Sequence, residues 1–246
     1  MARRKRSDAL DGEAGRRSKP GNAAEAAGDA IAAVRDLAWA GQQEKAIAAA
    51  SAALEASGLT GEARLALLDL RAESLRAVGE FDAALADAHS MQVLAKALGS
   101  AHARALAACR LSVVLMTGGD AVRAASVARG ALAAARKARD TELEALALYR
   151  LASALLNNDE PASLRHAQEA AARFEQVGNM AWQGRALSGA AGALLNLGRH
   201  ADSVQVADRA LALAQRTGDH VGRGQAHILR WSDPDAALLL RSLKLS

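Results

Sequence analysis

A tyrosine, an arginine and two asparagines stand out in this chain for what their side chains can hold. Tyr149 is its one tyrosine, beside three tryptophans and two phenylalanines. Asn157 and Asn196 lie 39 residues apart, and Arg185 precedes Asn196 by 11. An aromatic ring offers contact area, a guanidinium offers charge, and a side-chain amide donates and accepts at once, which suits an extended backbone. Bond-breaking chemistry finds little footing. The histidines His89, His102, His166, His200, His220 and His227 never meet carboxylates at metal-binding spacing on one helical face. No GxxxxGK[ST] phosphate loop is present, and the Gly222–Gly224 pair lacks the strand and third glycine of a dinucleotide fingerprint. Gly118-Gly119-Asp120 has the outline of a cyclase signature but falls at a turn between helices. Cys109, the single cysteine, sits in an apolar helix without the electropositive, accessible setting of a reactive thiol; only Arg110 beside it points the other way. No catalytic residue, cofactor or metal is expected, and the chain reads as non-enzymatic.

The elements that position these groups are helices. The 246 residues are 51% hydrophobic but only 2% aromatic, and roughly a quarter are alanine, the strongest helix former. Proline occurs three times, at Pro20, Pro161 and Pro234. This composition excludes a β-sandwich or barrel and disorder over most of the length. Net charge is +4, and residues 1–20 carry all of it, with seven basic and three acidic side chains; the rest is neutral. The sequence therefore divides into a basic, disordered leader over 1–22 and a helical repeat domain over 23–246. The leader lacks the apolar run of a secretory signal, and no stretch is long and apolar enough for a membrane span. A cytoplasmic protein is expected. Nucleic acid is not expected as a partner beyond weak contact with Arg3-Arg4-Lys5-Arg6.

A repeat of about forty residues organises the domain. Ser100, Asp140, Asn179 and Asp219 punctuate it at spacings of 40, 39 and 40, and Gly79 and Gly119 mark intervening turns 40 apart. Between these marks the apolar period is helical. The pattern predicts helix pairs at 23–40/43–57, 61–78/81–98, 101–117/120–138, 141–157/161–177, 180–197/200–216 and 220–231/234–245. Asp120 and Asp233 are placed to cap the helices that follow, the latter with Pro234 at the first helical position. Ala46, Ala84, Ala124 and Ser203 recur at one place after their turns, with Ala53, Ala131 and Ala210 seven residues on; small side chains there let helices approach closely.

These turn glycines and paired small residues, with Leu75, Leu115 and Leu194 four residues before Gly79, Gly119 and Gly198, resemble the tetratricopeptide repeat family in the long form common in bacterial regulators. The resemblance covers roughly residues 24–246. The repeats lack that family's common Trp, Gly and Tyr on the first helix and its closing Pro; armadillo-type and HEAT-type stacks are the runners-up. It implies an all-α, right-handed superhelical solenoid of about six helical hairpins whose first helices line an inner groove. Candidates on that surface are Asp69, Glu73, Arg76, Cys109, Arg110, Val113, Tyr149, Ser153, Asn157, Arg185, Ser188 and Asn196. No lysine falls on a first helix, so a clamp for a C-terminal carboxylate built from Lys and Asn is discounted. The expected function is a scaffold for a peptide or protein partner. The alternative is a regulatory module of a larger bacterial signalling protein, a nucleotide cyclase or transcriptional activator, because the run Ala236–Leu240 ends the stack on apolar residues where a second copy can also associate.

Overall fold

The computed structural model describes residues 20–231, and every regular element in them is an α-helix. Five helical hairpins follow one another: α1 (Pro20–Trp39) with α2 (Gln43–Leu54), α3 (Gly61–Ala77) with α4 (Phe81–Leu98), α5 (Ala101–Thr117) with α6 (Ala121–Ala138), α7 (Thr141–Leu155) with α8 (Glu160–Gln176), and α9 (Met180–Asn196) with α10 (His200–Thr217). α11 (His220–Trp231) opens a sixth. The leader up to Lys19, the Asp233–Pro234 start and the second helix of the sixth hairpin lie outside the described residues. Two helices stop two residues or more short of the expected bounds. α2 ends at Leu54, before the turn that Gly58 makes at φ +87°, and α7 ends at Leu155 because Asn157 and Asn158 form the turn.

The punctuation residues act locally. Thr60, Ser100, Asp140 and Asn179 are N-caps whose side chains accept from Ala63, Ala103, Leu143 and Trp182 N–H at 3.1, 3.3, 2.9 and 3.2 Å. Asp120 and Asp159 do the same for α6 and α8, each at 3.0 Å. Such a cap is worth about 1 kcal/mol and fixes where each helix starts. Gly79 and Gly119 close first helices at φ +87° and +88°, a left-handed conformation that costs a residue with a Cβ.

The packing order separates inner from outer surface. Each helix packs on the next, and α1, α3, α5, α7, α9 and α11 also pack on one another in sequence, whereas the second helices do not. The first helices therefore form the concave layer. The stack coils far enough to bring Trp39, at the end of α1, to within 5.6 Å of the Arg185 guanidinium on α9, measured to the ring centre. Among the described residues no helix is long and apolar enough to cross a membrane.

Small residues set the spacing within hairpins. Ala46, Ala84, Ala124, Ser163 and Ser203 occupy one repeat position and are all buried. Backbones there come so close that hydroxyls reach across to the facing helix: Ser112 Oγ donates to Ala124 O at 2.9 Å, Ser163 Oγ to Ala152 O at 2.8 Å, and Ser203 Oγ to Ala191 O at 2.8 Å. Ala124→Leu is accordingly expected to destabilise by about 1–3 kcal/mol through overpacking, with Ala133→Leu on the exposed face of the same helix close to neutral. Equal denaturation midpoints for the two variants would contradict this packing.

Candidate functional site

Aligned on the caps, the first helices place their inner-surface residues in three columns. Nine residues after the cap stand Asp69, Cys109, Tyr149 and Ser188; ten after, Leu70, Arg110, Arg150 and Gly189; thirteen after, Glu73, Val113, Ser153 and Gly192. The charged groups come from the early repeats and the small ones from the fifth.

Arg110 is the centre of the charged part. Its Nε donates to Asp69 Oδ1 at 2.8 Å and its Nη1 to the Glu73 carboxylate, while Arg76 Nη2 donates to Glu73 Oε1 at 2.5 Å. Burial alone would raise the Glu73 carboxyl, but the Arg110 charge and the Arg76 hydrogen bond outweigh it and hold the acid well below the usual carboxylate range. Burial likewise works against the Arg110 charge, and Asp69 and Glu73 more than restore it. Asp69, Glu73, Arg76 and Arg110 are thus one network joining α3 to α5. Cys109 beside it is buried, which pushes its thiol up to about 12 and leaves it a packing residue.

Arg185 is held by Asp219, at 2.7 Å from Nε and 2.8 Å from Nη2. Asp219 is buried and also accepts backbone hydrogen bonds from Val221 and Gly222 at the start of α11. A Cβ at Gly222 would come within 2.5 Å of Asp219 Oδ2, so that glycine serves the cap. Burial would raise the Asp219 carboxyl; Arg185 and these bonds bring it below its ordinary value.

Asn157 and Asn196 do meet, at an exposed edge. Asn196 Nδ2 donates to Leu156 O at 3.0 Å and to Asn157 Oδ1 at 3.1 Å, clasping two repeats together. Tyr149, Ser153 and Ser188 line a single cavity of about 340 Å³, with Met116, Leu156 and Leu229 supplying apolar wall. It opens because the fifth repeat has Gly189 and Gly192 where the fourth has Arg150 and Ser153. Ser153 Oγ is spent on Tyr149 O at 2.9 Å, whereas the buried Ser188 Oγ has no partner.

Three contributors are absent from the sequence candidates. Trp182 meets Tyr149 edge-on, ring centres 5.7 Å apart, and stacks on buried Phe174 at 5.9 Å. Arg150 lies 5.3 Å from the centres of both the Tyr149 and Trp182 rings, and Arg185 lies 4.8 Å from that of Trp182. Trp39 adds the ring on the far side of Arg185 in sequence. The signal for Arg150 was its distance of 40 from Arg110, and for Trp182 its place three residues before Arg185 on one helix.

No protein-family model matches the sequence, and no curated protein matches it. Solved structures do. PlcR of Bacillus thuringiensis, in complex with the peptide PapR7 and DNA, superposes with a TM-score of 0.68 at 13% identity, over 82% of this chain and 74% of that one. A Rap protein complexed with competence and sporulation factor gives 0.63 at 18% identity, over 82% and 64%. A signal transduction ATPase of Pyrococcus horikoshii with a tetratricopeptide repeat sensor gives 0.62 at 14%, over 82% of this chain and 31% of that one. The chain therefore has the fold of a tetratricopeptide-type helical-repeat solenoid.

Proposed function

We propose that the chain is a non-enzymatic scaffold that binds a peptide on its concave, first-helix surface. The observation that supports this most is the cavity of about 340 Å³, an apolar recess on that surface whose wall includes Tyr149 and Ser153. A preformed apolar cleft with a few polar groups is what a side-chain anchor requires. The neighbours PlcR and Rap, each solved with a bound factor, lend the reading weight by analogy of fold. The solenoid supplies rigidity, so little ordering entropy is lost on binding.

A second reading keeps the same surface but makes the chain the regulatory module of a larger signalling protein. It is favoured by the small share of the Pyrococcus horikoshii ATPase that the chain spans, over which that protein carries further length.

Selection of a displayed random-peptide library against the whole chain tests the scaffold. Gly192→Leu is the control. A Cβ there meets only ordinary contacts, 3.8 Å from Leu156 and Leu229, and leucine favours the helix by about 1 kcal/mol over glycine. Selected peptides are expected to lose about tenfold or more in affinity for this variant while its melting temperature holds. Failure to enrich any peptide, or equal binding to the variant, would count against the proposal.

A further inference from the structure

The arginines of the inner surface are not equally provided for. Arg76 has Glu73, Arg110 has Asp69 and Glu73, and Arg185 has Asp219, each at ion-pair distance. Arg150 has no hydrogen bond or ion pair among the described residues. Its Nε is sealed from solvent without an acceptor, and its terminal nitrogens have no hydrogen-bond partner either. Only the faces of Tyr149 and Trp182 answer its charge at close range. Arg185 shares the Trp182 ring, so two guanidinium groups crowd one indole. Burial and the neighbouring Arg110 weaken the Arg150 charge, while Glu73 acts on it only through space. A planar guanidinium held on two rings with free terminal N–H groups is preorganised for a carboxylate.

We propose that Arg150 is the anion anchor of this surface, receiving the carboxylate of an acidic peptide whose adjoining apolar side chain enters the cavity that Tyr149 lines. Tyr149 is the link, since it both forms the cavity wall and carries Arg150 on its ring. The charge balance selects the kind of anion. Arg76, Arg110, Arg150 and Arg185 stand with Asp69, Glu73 and Asp219, leaving one positive charge in excess. A single carboxylate neutralises it, whereas a dianionic phosphate would overshoot beside Glu73. This proposal rests on the peptide-binding reading for its natural ligand, but its chemistry is testable without it.

The probe is 3-phenylpropionate at millimolar concentration, against its amide, 3-phenylpropionamide, and inorganic phosphate, with the whole chain observed through its arginine side-chain nitrogen resonances. The expected result is a shift of the Arg150 resonances with the acid and little with the amide or phosphate. No shift with the acid, or an equal shift with phosphate, would overturn the assignment. Where library peptides bind, Arg150→Gln should weaken an acidic one by about 10- to 100-fold and leave its Asn/Gln counterpart unchanged, with Arg150→Lys in between. Equal binding of acidic and amidated peptides by the unaltered chain would likewise overturn it. A positive 3-phenylpropionate result with no binding peptide would leave the anion site standing and remove only the peptide reading.

Discussion

Phe174→Ala is expected to cost about 3–5 kcal/mol, the largest loss for any aromatic among the described residues. Phe174 is 1% exposed, in a core cluster that runs from α5 to α11. It is also the floor on which Trp182 rests, with the two rings 21° from parallel. Its removal opens a cavity beneath the ring that carries Arg150 and Arg185, so the fourth and fifth repeats should loosen together. In a stack stabilised mainly by neighbour contacts, that break should also broaden the unfolding transition. Phe81→Ala provides the comparison, because Phe81 is 40% exposed. A denaturant midpoint for Phe174→Ala no lower than that for Phe81→Ala would remove Phe174 from this role.

Arg110→Met should be nearly as damaging. It leaves Asp69 and Glu73 facing each other without their shared cation, and breaking a buried pair from one side costs about 3–5 kcal/mol. Glu73 is about a third exposed, so solvent screening reduces the expectation to about 2–4 kcal/mol. Adding Asp69→Asn should recover much of it, since the acid left without a cation is then gone while Glu73 keeps Arg76. The pH dependence has a definite sign. The folded-state Glu73 and Asp219 carboxyls lie below their ordinary values, so the folded state holds fewer protons there than the unfolded one. The stability they confer is complete above the ordinary carboxylate range and is lost as pH falls from that range to the lowered folded-state values. Arg110→Met should partly flatten the acid limb of a stability–pH curve, leaving the parts due to Asp219, Asp140 and the Arg76–Glu73 pair. An unchanged acid limb would show that Glu73 is not held by Arg110.

The sequence carried the fold because each repeat announces its own ends. Thr60, Ser100, Asp140 and Asn179 are caps, and a cap is a local chemical requirement readable from residue type and spacing. The small residues were equally legible, although Ser163, the fourth-repeat member, emerged only with the structure. The site was legible in membership more than in arrangement. Asp69, Glu73, Arg76 and Arg110 sit on two helices, and nothing in a repeat pattern says that an arginine will turn to the preceding repeat for its acids. Asn157 and Asn196 were recognised as equivalent, yet equivalence put them within reach of each other across the stack. Trp39 and Arg185 meet because of the superhelical coil, a property of all the intervening repeat angles together. The cavity was written in Gly189 and Gly192, two missing side chains in columns otherwise filled, and absence draws less notice than charge.

The central claim is that ligand enters on the concave surface, at the cavity between α7, α9 and α11. Methyl resonances of the whole chain, recorded with and without a library-selected peptide, test it most directly. The predicted result is that Met116, Leu156 and Leu229 in the cavity wall shift, while Val93 and Val122, exposed on the second helices, do not. Shifts confined to Val93 and Val122, with the cavity methyls unmoved, would contradict the account.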